Sequence, residues 1–372
     1  MSDAPALRDY FTREILEVIG GRIEAVHAAF DVGRFVDSAW APADGPVFES
    51  LTFTERSVRI AEAVNGELGL DPVEMMDVLV RSLPEELPQA DGALNEGFLL
   101  WPFGDMIRLY GTNHLDEGLQ ACYELTKRFT SEFAIRPFLA DYPKALDRIG
   151  AWTDDPSEHV RRLVSEGTRP RLPWAVRLDL PIDDVLSILE RLRADPSPYV
   201  RKSVANHLND LTKVDRDLIL DLAERWHATE VDETQWIVRH ALRNELKAGN
   251  PRALAIFGYG EPDVDVSPLT VEPASVAIGD SVEISFDVTS RATSPQRVMI
   301  DLIVGYQKAN GKISPKVFKF RDIELGAGAT ERCTKRLDMV VRSTRTLYVG
   351  GHSVTVQING QQFGEASFEL TD

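Results

Sequence analysis

Cysteine is nearly absent from this 372-residue chain, which has only Cys122 and Cys333. Two thiols make neither a disulfide framework nor a thiolate metal site. Long apolar runs are missing too: none approaches the roughly 18 residues a membrane-spanning helix needs. The first twenty residues carry Asp3, Arg8, Asp9, Arg13, Glu14 and Glu17, leaving no apolar stretch for a secretory signal. The seven histidines are scattered without metal-ligand spacing, and neither a phosphate-cradling glycine loop nor a GxSxG elbow occurs. These absences exclude membrane, secreted-scaffold and zinc-finger classes and predict a cytoplasmic protein with no metal and no cofactor. Hydrophobic residues at 43% and charged residues at 27% supply a packed core, and the length allows two domains or one with an appendage.

Cations are also in short supply, with 41 Lys and Arg against 59 Asp and Glu, a net charge of −18. The deficit is uneven. Residues 1–150 hold 13 cations against 26 acids, whereas residues 151–250 hold 15 against 18 and residues 251–372 hold 13 against 15. Net charge governs long-range steering, but contact depends on local clusters. A nucleic-acid partner therefore stays open if the later segments gather their cations on one face.

The chain has two textures. Up to about Gly260 it reads as helices, with apolar residues at three- and four-residue spacing in Glu14 to Phe30, Phe53 to Asn65, Leu115 to Phe129 and Pro181 to Arg193. After about Asp263 the period falls to two, as in Val282–Val288 and Val354–Ile358. Asn310-Gly311 and Asn359-Gly360 sit between strand-like runs as hairpin turns. About seven strand candidates in this tail predict a disulfide-free immunoglobulin-like sandwich. The expected domains are residues 1–262, helical, and residues 263–372, all β.

The helical part repeats itself. Asp155-Pro-Ser-Glu-His-Val160-Arg161 returns as Asp195-Pro-Ser-Pro-Tyr-Val200-Arg201, then with one extra residue as Asp232-Glu-Thr-Gln-Trp-Ile-Val238-Arg239. The Val-Arg steps lie 40 and 38 residues apart, near the helix-pair period of HEAT-type solenoids. Ile135-Arg136 reads as a degenerate earlier copy. Stacked repeats align equivalent positions, so each row can be read down the stack. Val160/Val164, Val200/Val204/Leu208/Leu211 and Val238/Leu242/Leu246 form the inward stripe. The opposite stripe holds Arg162 and Glu166, then Lys202, Asn206, Asn209 and Lys213, then His240, Asn244 and Lys247, with Asp210 beside it. This is either a solvated helix face or a cationic binding row. The Arg161/Arg201/Arg239 row is expected to pair with aspartates of neighbouring repeats. Two prolines keep the segment Arg169-Pro-Arg171-Leu-Pro173-Trp174 out of helix. Trp174 there is either a packing anchor or a stacking platform for a sugar or base.

His159-Val-Arg-Arg-Leu-Val-Ser-Glu-Gly-Thr-Arg-Pro-Arg-Leu-Pro-Trp174, Tyr199-Val-Arg-Lys-Ser-Val-Ala-Asn-His-Leu-Asn-Asp210, Trp236-Ile-Val-Arg-His-Ala-Leu-Arg243 and Thr130-Ser-Glu-Phe-Ala-Ile-Arg136 carry a resemblance. Together they resemble the AlkC family of bacterial DNA alkylation repair glycosylases, within the HEAT-like superfamily that includes AlkD. The tail resembles that of the subgroup with an added immunoglobulin-like domain. The resemblance implies hydrolysis of the N-glycosidic bond of cationic alkylated bases, mainly 3-methyladenine and also 3-methylcytosine. It implies bent duplex DNA as the partner, bound by a monomer without full extrusion of the lesion. It also implies that Glu166 and Asp210 are the acidic positions near the scissile sugar, with Trp174 the aromatic residue beside it and Glu132 a weaker acidic match. Arg162, Arg169, Arg171, Lys202, Asn206, Lys213, His240 and Arg243 are candidate phosphate contacts, resting mainly on the stripe. Lys312 and Lys316, beside the Asn310-Gly311 hairpin, either reach a DNA backbone or keep a sheet edge soluble. The alternative function is a non-catalytic scaffold of the same architecture that binds protein or DNA structure.

Overall fold

The computed structural model describes residues 7–42, 44–87, 97–141, 143–342 and 345–372. Among them 14 α-helices precede nine strands, and none of the helices is long and apolar enough to cross a membrane. The chain divides into two compact units, Met1–Val214 with Val231–His240, and Asp215–Glu230 with Ala241–Asp372.

The first unit is helical, and its ends are set by local chemistry. Thr52 and Glu55 form a capping box at the start of Phe53–Leu68, which Gly69 closes in the left-handed region at φ 57°. The helix expected to run from Glu14 to Phe30 spans Arg13–Glu24 instead. Asp31 caps the next helix, Val32–Trp40, from an extended backbone, so the chain turns before it and Phe30 is buried from a turn. In the repeats, Asp195 accepts the Ser197 backbone N–H and Ser197 caps Pro198–Leu211. The inward stripe is as expected: Val160, Val164, Val200, Val204, Leu208, Leu211 and Val238 are all buried. Arg161 bonds Asp195 bidentately at 2.6 and 3.0 Å and reaches the Asp155 carbonyl at 2.8 Å, the repeat-to-repeat pairing expected of its row, whereas Arg201 donates to the Asp195 and Pro196 carbonyls, at 2.8 Å each, and, among the described residues, not to an aspartate side chain. The polar stripe is less exposed than expected. Asn209 and Glu166 are buried, Glu166 because neighbouring side chains bond it, so it does not face water.

In the second unit, nine strands form two sheets: β1 (Val264–Val266), β2 (Thr270–Glu272), β3 (Ser275–Ala277), β4 (Ser281–Ser290), β5 (Gln296–Gln307), β6 (Ile313–Leu325), β7 (Thr330–Asp338), β8 (Gly350–Ile358) and β9 (Gln361–Thr371). One sheet joins β1, β2 and β7 to β4, and the other runs β3-β9-β8-β5-β6. Alternation in β4 turns Val282, Ile284, Phe286 and Val288 into the core. Both Asn-Gly pairs are turns, and Asn359 and Gly360 take φ values of 44° and 84°. That second turn meets the last helical segment. A Cβ on Gly249 would lie 2.5 Å from Gly360 Cα, so the approach requires glycine. Gln357 donates to the Lys247 carbonyl at 3.1 Å, Asn359 to the Gly260 carbonyl at 2.9 Å, and the Tyr259 hydroxyl to Asp322 at 2.6 Å.

Candidate active site

Glu166 and Asp210 come from consecutive repeats, and their meeting follows from the packing of Glu158–Gly167 against Pro198–Leu211. Both lie near helix C-termini, where the macrodipole disfavours an anion by up to about 1 kcal/mol. Arg169, just past the first helix, offsets that cost for both. It donates to Glu166 Oε1 at 2.5 Å and, from two nitrogens, to Asp210 Oδ2 at 2.9 and 2.7 Å. One turn before Glu166, Arg162 lies 3.8 Å from it and donates to Glu132 at 3.0 Å. The result is a continuous chain, Glu132–Arg162–Glu166–Arg169–Asp210, with Lys213 3.6 Å from Asp210 at its solvent end. Three carboxylates face two guanidiniums, so the inner chain has one surplus negative charge. Glu166 Oε2 also accepts the Ser203 hydroxyl at 2.6 Å, which occupies both of its oxygens. Among the described residues, Asp210 Oδ1 and Glu132 Oε1 accept no hydrogen bond.

Burial alone raises a carboxyl pKa, but at Glu166 the charges of Arg162 and Arg169 and the Ser203 bond outweigh it, holding the pKa below the usual carboxylate range. Arg162 and Arg169 move reciprocally: burial opposes their charge, and the adjoining carboxylates more than restore it. His207 is fully buried behind the chain. Burial first, then the Arg169 charge, pushes its pKa down to about 3, so the ring is neutral. Its Nδ1 faces the Ser165 carbonyl at 2.9 Å and must carry the proton. Arg162 also lies over the Tyr199 ring, 5.2 Å from its centroid.

The proline-rich loop ends the site. Trp174 is 82% exposed and sits at φ 64°, a left-handed conformation that costs a non-glycine residue about 1–3 kcal/mol. A packing anchor would be buried, so that alternative fails. Arg136 lies beneath the loop, wholly buried, and bonds backbone carbonyls on both of its arms. Among the described residues no group of three or more His, Cys, Asp or Glu side chains is arranged to hold a metal ion.

A family model for a DNA alkylation repair enzyme matches residues 129–244, the stretch that contains this chain of charges. A second, the C-terminal Ig-like domain of the uncharacterised protein YhaZ, matches residues 265–372. YhaZ of Bacillus subtilis (strain 168) is 35% identical over 98% of this chain and 99% of its own. The solved structure of Pseudomonas fluorescens alkylpurine DNA glycosylase AlkC, bound to DNA containing an abasic site analog, is 37% identical, with a TM-score of 0.88 over 99% of this chain and 100% of that one. The chain belongs to the AlkC family of DNA alkylation repair enzymes. Its fold is that of an AlkC glycosylase, a HEAT-like helical array followed by an immunoglobulin-like sandwich.

Within this AlkC-family fold, Glu132, Glu166, Asp210, Arg162, Arg169 and Lys213 converge. Arg162 and Arg169, expected as phosphate contacts, are half-buried and pair with carboxylates in this structure. Charge alone does not tell a cation that faces a ligand from one that neutralises acids. Arg171, Lys202 and Lys213 are exposed, and Asn206 and His240 are half-buried. The His240 ring stacks on Trp236 at 5.1 Å. Arg243, half-buried, and Lys312 and Lys316, both exposed, belong to the second unit. Sequence reasoning gave no role to Ser203, His207 or Arg136. The first two stand at Val200+3 and Val200+7, positions that face the preceding repeat once helices stack, and that spacing was a usable signal.

Proposed function

We propose that the chain is a monofunctional DNA glycosylase that hydrolyses the N-glycosidic bond of cationic alkylated bases in duplex DNA. The bases are 3-methyladenine foremost and 3-methylcytosine next, and the enzyme acts as a monomer without metal, cofactor or full extrusion of the lesion. The observation that carries this reading is the carboxylate–guanidinium chain with its surplus negative charge, whose Arg169 opens the loop that carries the exposed Trp174. A base alkylated at N3 is already positive. When its bond to C1′ breaks, the electron pair neutralises it, so no general acid is needed. What remains is an oxocarbenium-like sugar; water adds to C1′, and its proton passes to a carboxylate or to solvent. Asp210 and Glu132, each with an oxygen outside the guanidinium contacts, stabilise the sugar cation and orient water. Glu166 fixes the two arginines, and Trp174 packs against the sugar. Arg171, Lys202, Lys213, Lys312 and Lys316 hold phosphates.

The test is base release from methylated duplex DNA by the full chain. 3-Methyladenine appears first, and a separate duplex containing deoxyinosine releases no hypoxanthine, a neutral base; release of neither cationic base rejects the reading. The scaffold alternative predicts no release at all. No lysine belongs to the inner chain, so borohydride traps no Schiff-base adduct. Binding is expected to weaken steeply with salt, because neutralised phosphates release counterions. For five phosphates, affinity falls roughly 500-fold between about 50 and 200 mM salt. Titration by fluorescence anisotropy measures the slope, and a flat profile removes these five residues from the interface.

A further inference from the structure

We propose that Arg136 is a positioning residue of this glycosylase: it staples the loop that presents Trp174 and ties that loop to the segment that supplies Glu132. The inference rests on the glycosylase reading above and deepens it.

An arginine with no exposed surface ordinarily has a carboxylate partner. Arg136 bonds only backbone carbonyls. Its Nη1 donates to Gly167 at 3.1 Å and to Arg169 at 2.8 Å, and its Nε donates to Val176 at 2.9 Å, with Nη2 bonding the same oxygen. Gly167 is the last residue of its helix, so one arm of the guanidinium fork caps carbonyls at the negative end of a macrodipole. The other arm holds the chain two residues past Trp174. The loop is thus pinned at both ends by a single planar group whose donors diverge at fixed angles. Bonds between Leu178 N and the Pro170 carbonyl at 3.2 Å and between Ala175 N and the Leu172 carbonyl at 3.1 Å close its interior.

Trp174 needs such a device. Its indole has no ring partner among the described residues and is almost fully exposed, so no side-chain packing sets its direction. Its backbone is held in the left-handed region, a conformation that would relax if the loop were free. Orientation must therefore come from the backbone, and Arg136 is what holds the backbone. The approach also depends on Gly167: a Cβ there would lie 2.8 Å from Ile135 Cγ2, beside Arg136 in the chain. The short stretch Thr130–Arg136 therefore offers Glu132 to Arg162 at one end and clamps the Trp174 loop at the other.

Arg136→Lys keeps the charge and loses the fork. Under single-turnover conditions with saturating enzyme, it is expected to slow methylated-base release at least tenfold while duplex affinity changes less than threefold. Trp174→Ala alone slows release as well, and the loss in the double variant is expected to fall well short of the product of the two single losses. Residues that act through one another are not additive. Multiplied losses, or wild-type release by Arg136→Lys, overturn the proposal. A second measurement needs neither a stable variant nor catalysis. In the wild-type chain the amides of Ala175 and Leu178 are expected to exchange with solvent at least tenfold more slowly than an unstructured peptide of the same sequence. Exchange at the peptide's rate overturns the staple. If the wild-type chain releases no base while these amides are protected, the glycosylase reading has failed and the staple has not.

Discussion

Asp210→Asn is expected to slow base release about a thousandfold while leaving duplex binding within about threefold. One carboxylate about 4 Å from a sugar cation stabilises it by roughly 4 kcal/mol at an effective dielectric near 20, which is about three powers of ten in rate. The amide is nearly isosteric and still offers an oxygen to Arg169, so the fold and the duplex-facing cations stay in place. The local consequence is electrical, since the inner chain goes from one surplus negative charge to none. Single-turnover release and anisotropy on the same preparation separate the two effects. An asparagine variant that cleaves at the wild-type rate would remove Asp210 from the chemistry.

Arg169→Met is expected to destabilise the protein by about 3–5 kcal/mol, the usual cost of stranding buried charge. The side chains of Glu166 and Asp210 are only 8% and 11% exposed, and this change leaves both without the cation they share. The loss depends on pH, and its sign follows from Glu166. In the wild-type protein its folded pKa lies below the unfolded value. Its contribution is therefore complete above the unfolded pKa and is lost as pH falls through the folded one. Without Arg169, burial works against the charged form with less opposition, and the folded pKa rises. If it passes the unfolded value, the contribution is present at low pH and lost as pH climbs. The stability gap between variant and wild type is accordingly expected to narrow from pH 7.5 to pH 5. Urea unfolding at the two pH values measures it, and a gap that widens on acidification contradicts the shared-cation account.

The repeats and the β turns were legible because they rest on rules that act locally or by exact repetition. Val160, Val200 and Val238 recur at nearly one spacing, so burial of one predicts burial of the others. An Asn-Gly pair between alternating runs turns the same way whatever surrounds it. Glu166 and Asp210 were legible as acids on a cationic row, and the three-residue step to Arg169 was there to be read. Whether Arg169 faced a phosphate or those acids was not, because that depends on how neighbouring helices rotate against each other. Arg136 was the least legible. Its copy of the Val-Arg step falls in a stretch of turns, and its partners are carbonyl oxygens, which every residue has and which therefore leave no mark in a sequence.

The contact between Gly249 and Gly360 bears on where this protein can be divided. A chain cut at residue 262 strips the last helical segment of what covers it. The Lys247 and Gly260 carbonyls lose their donors, and the Tyr259 hydroxyl loses its acceptor. The closing helices and the strands are therefore expected to unfold as one block, and a truncation between them to injure both halves. A serine at either glycine forces the same separation by a single side chain, without shortening the polypeptide at all.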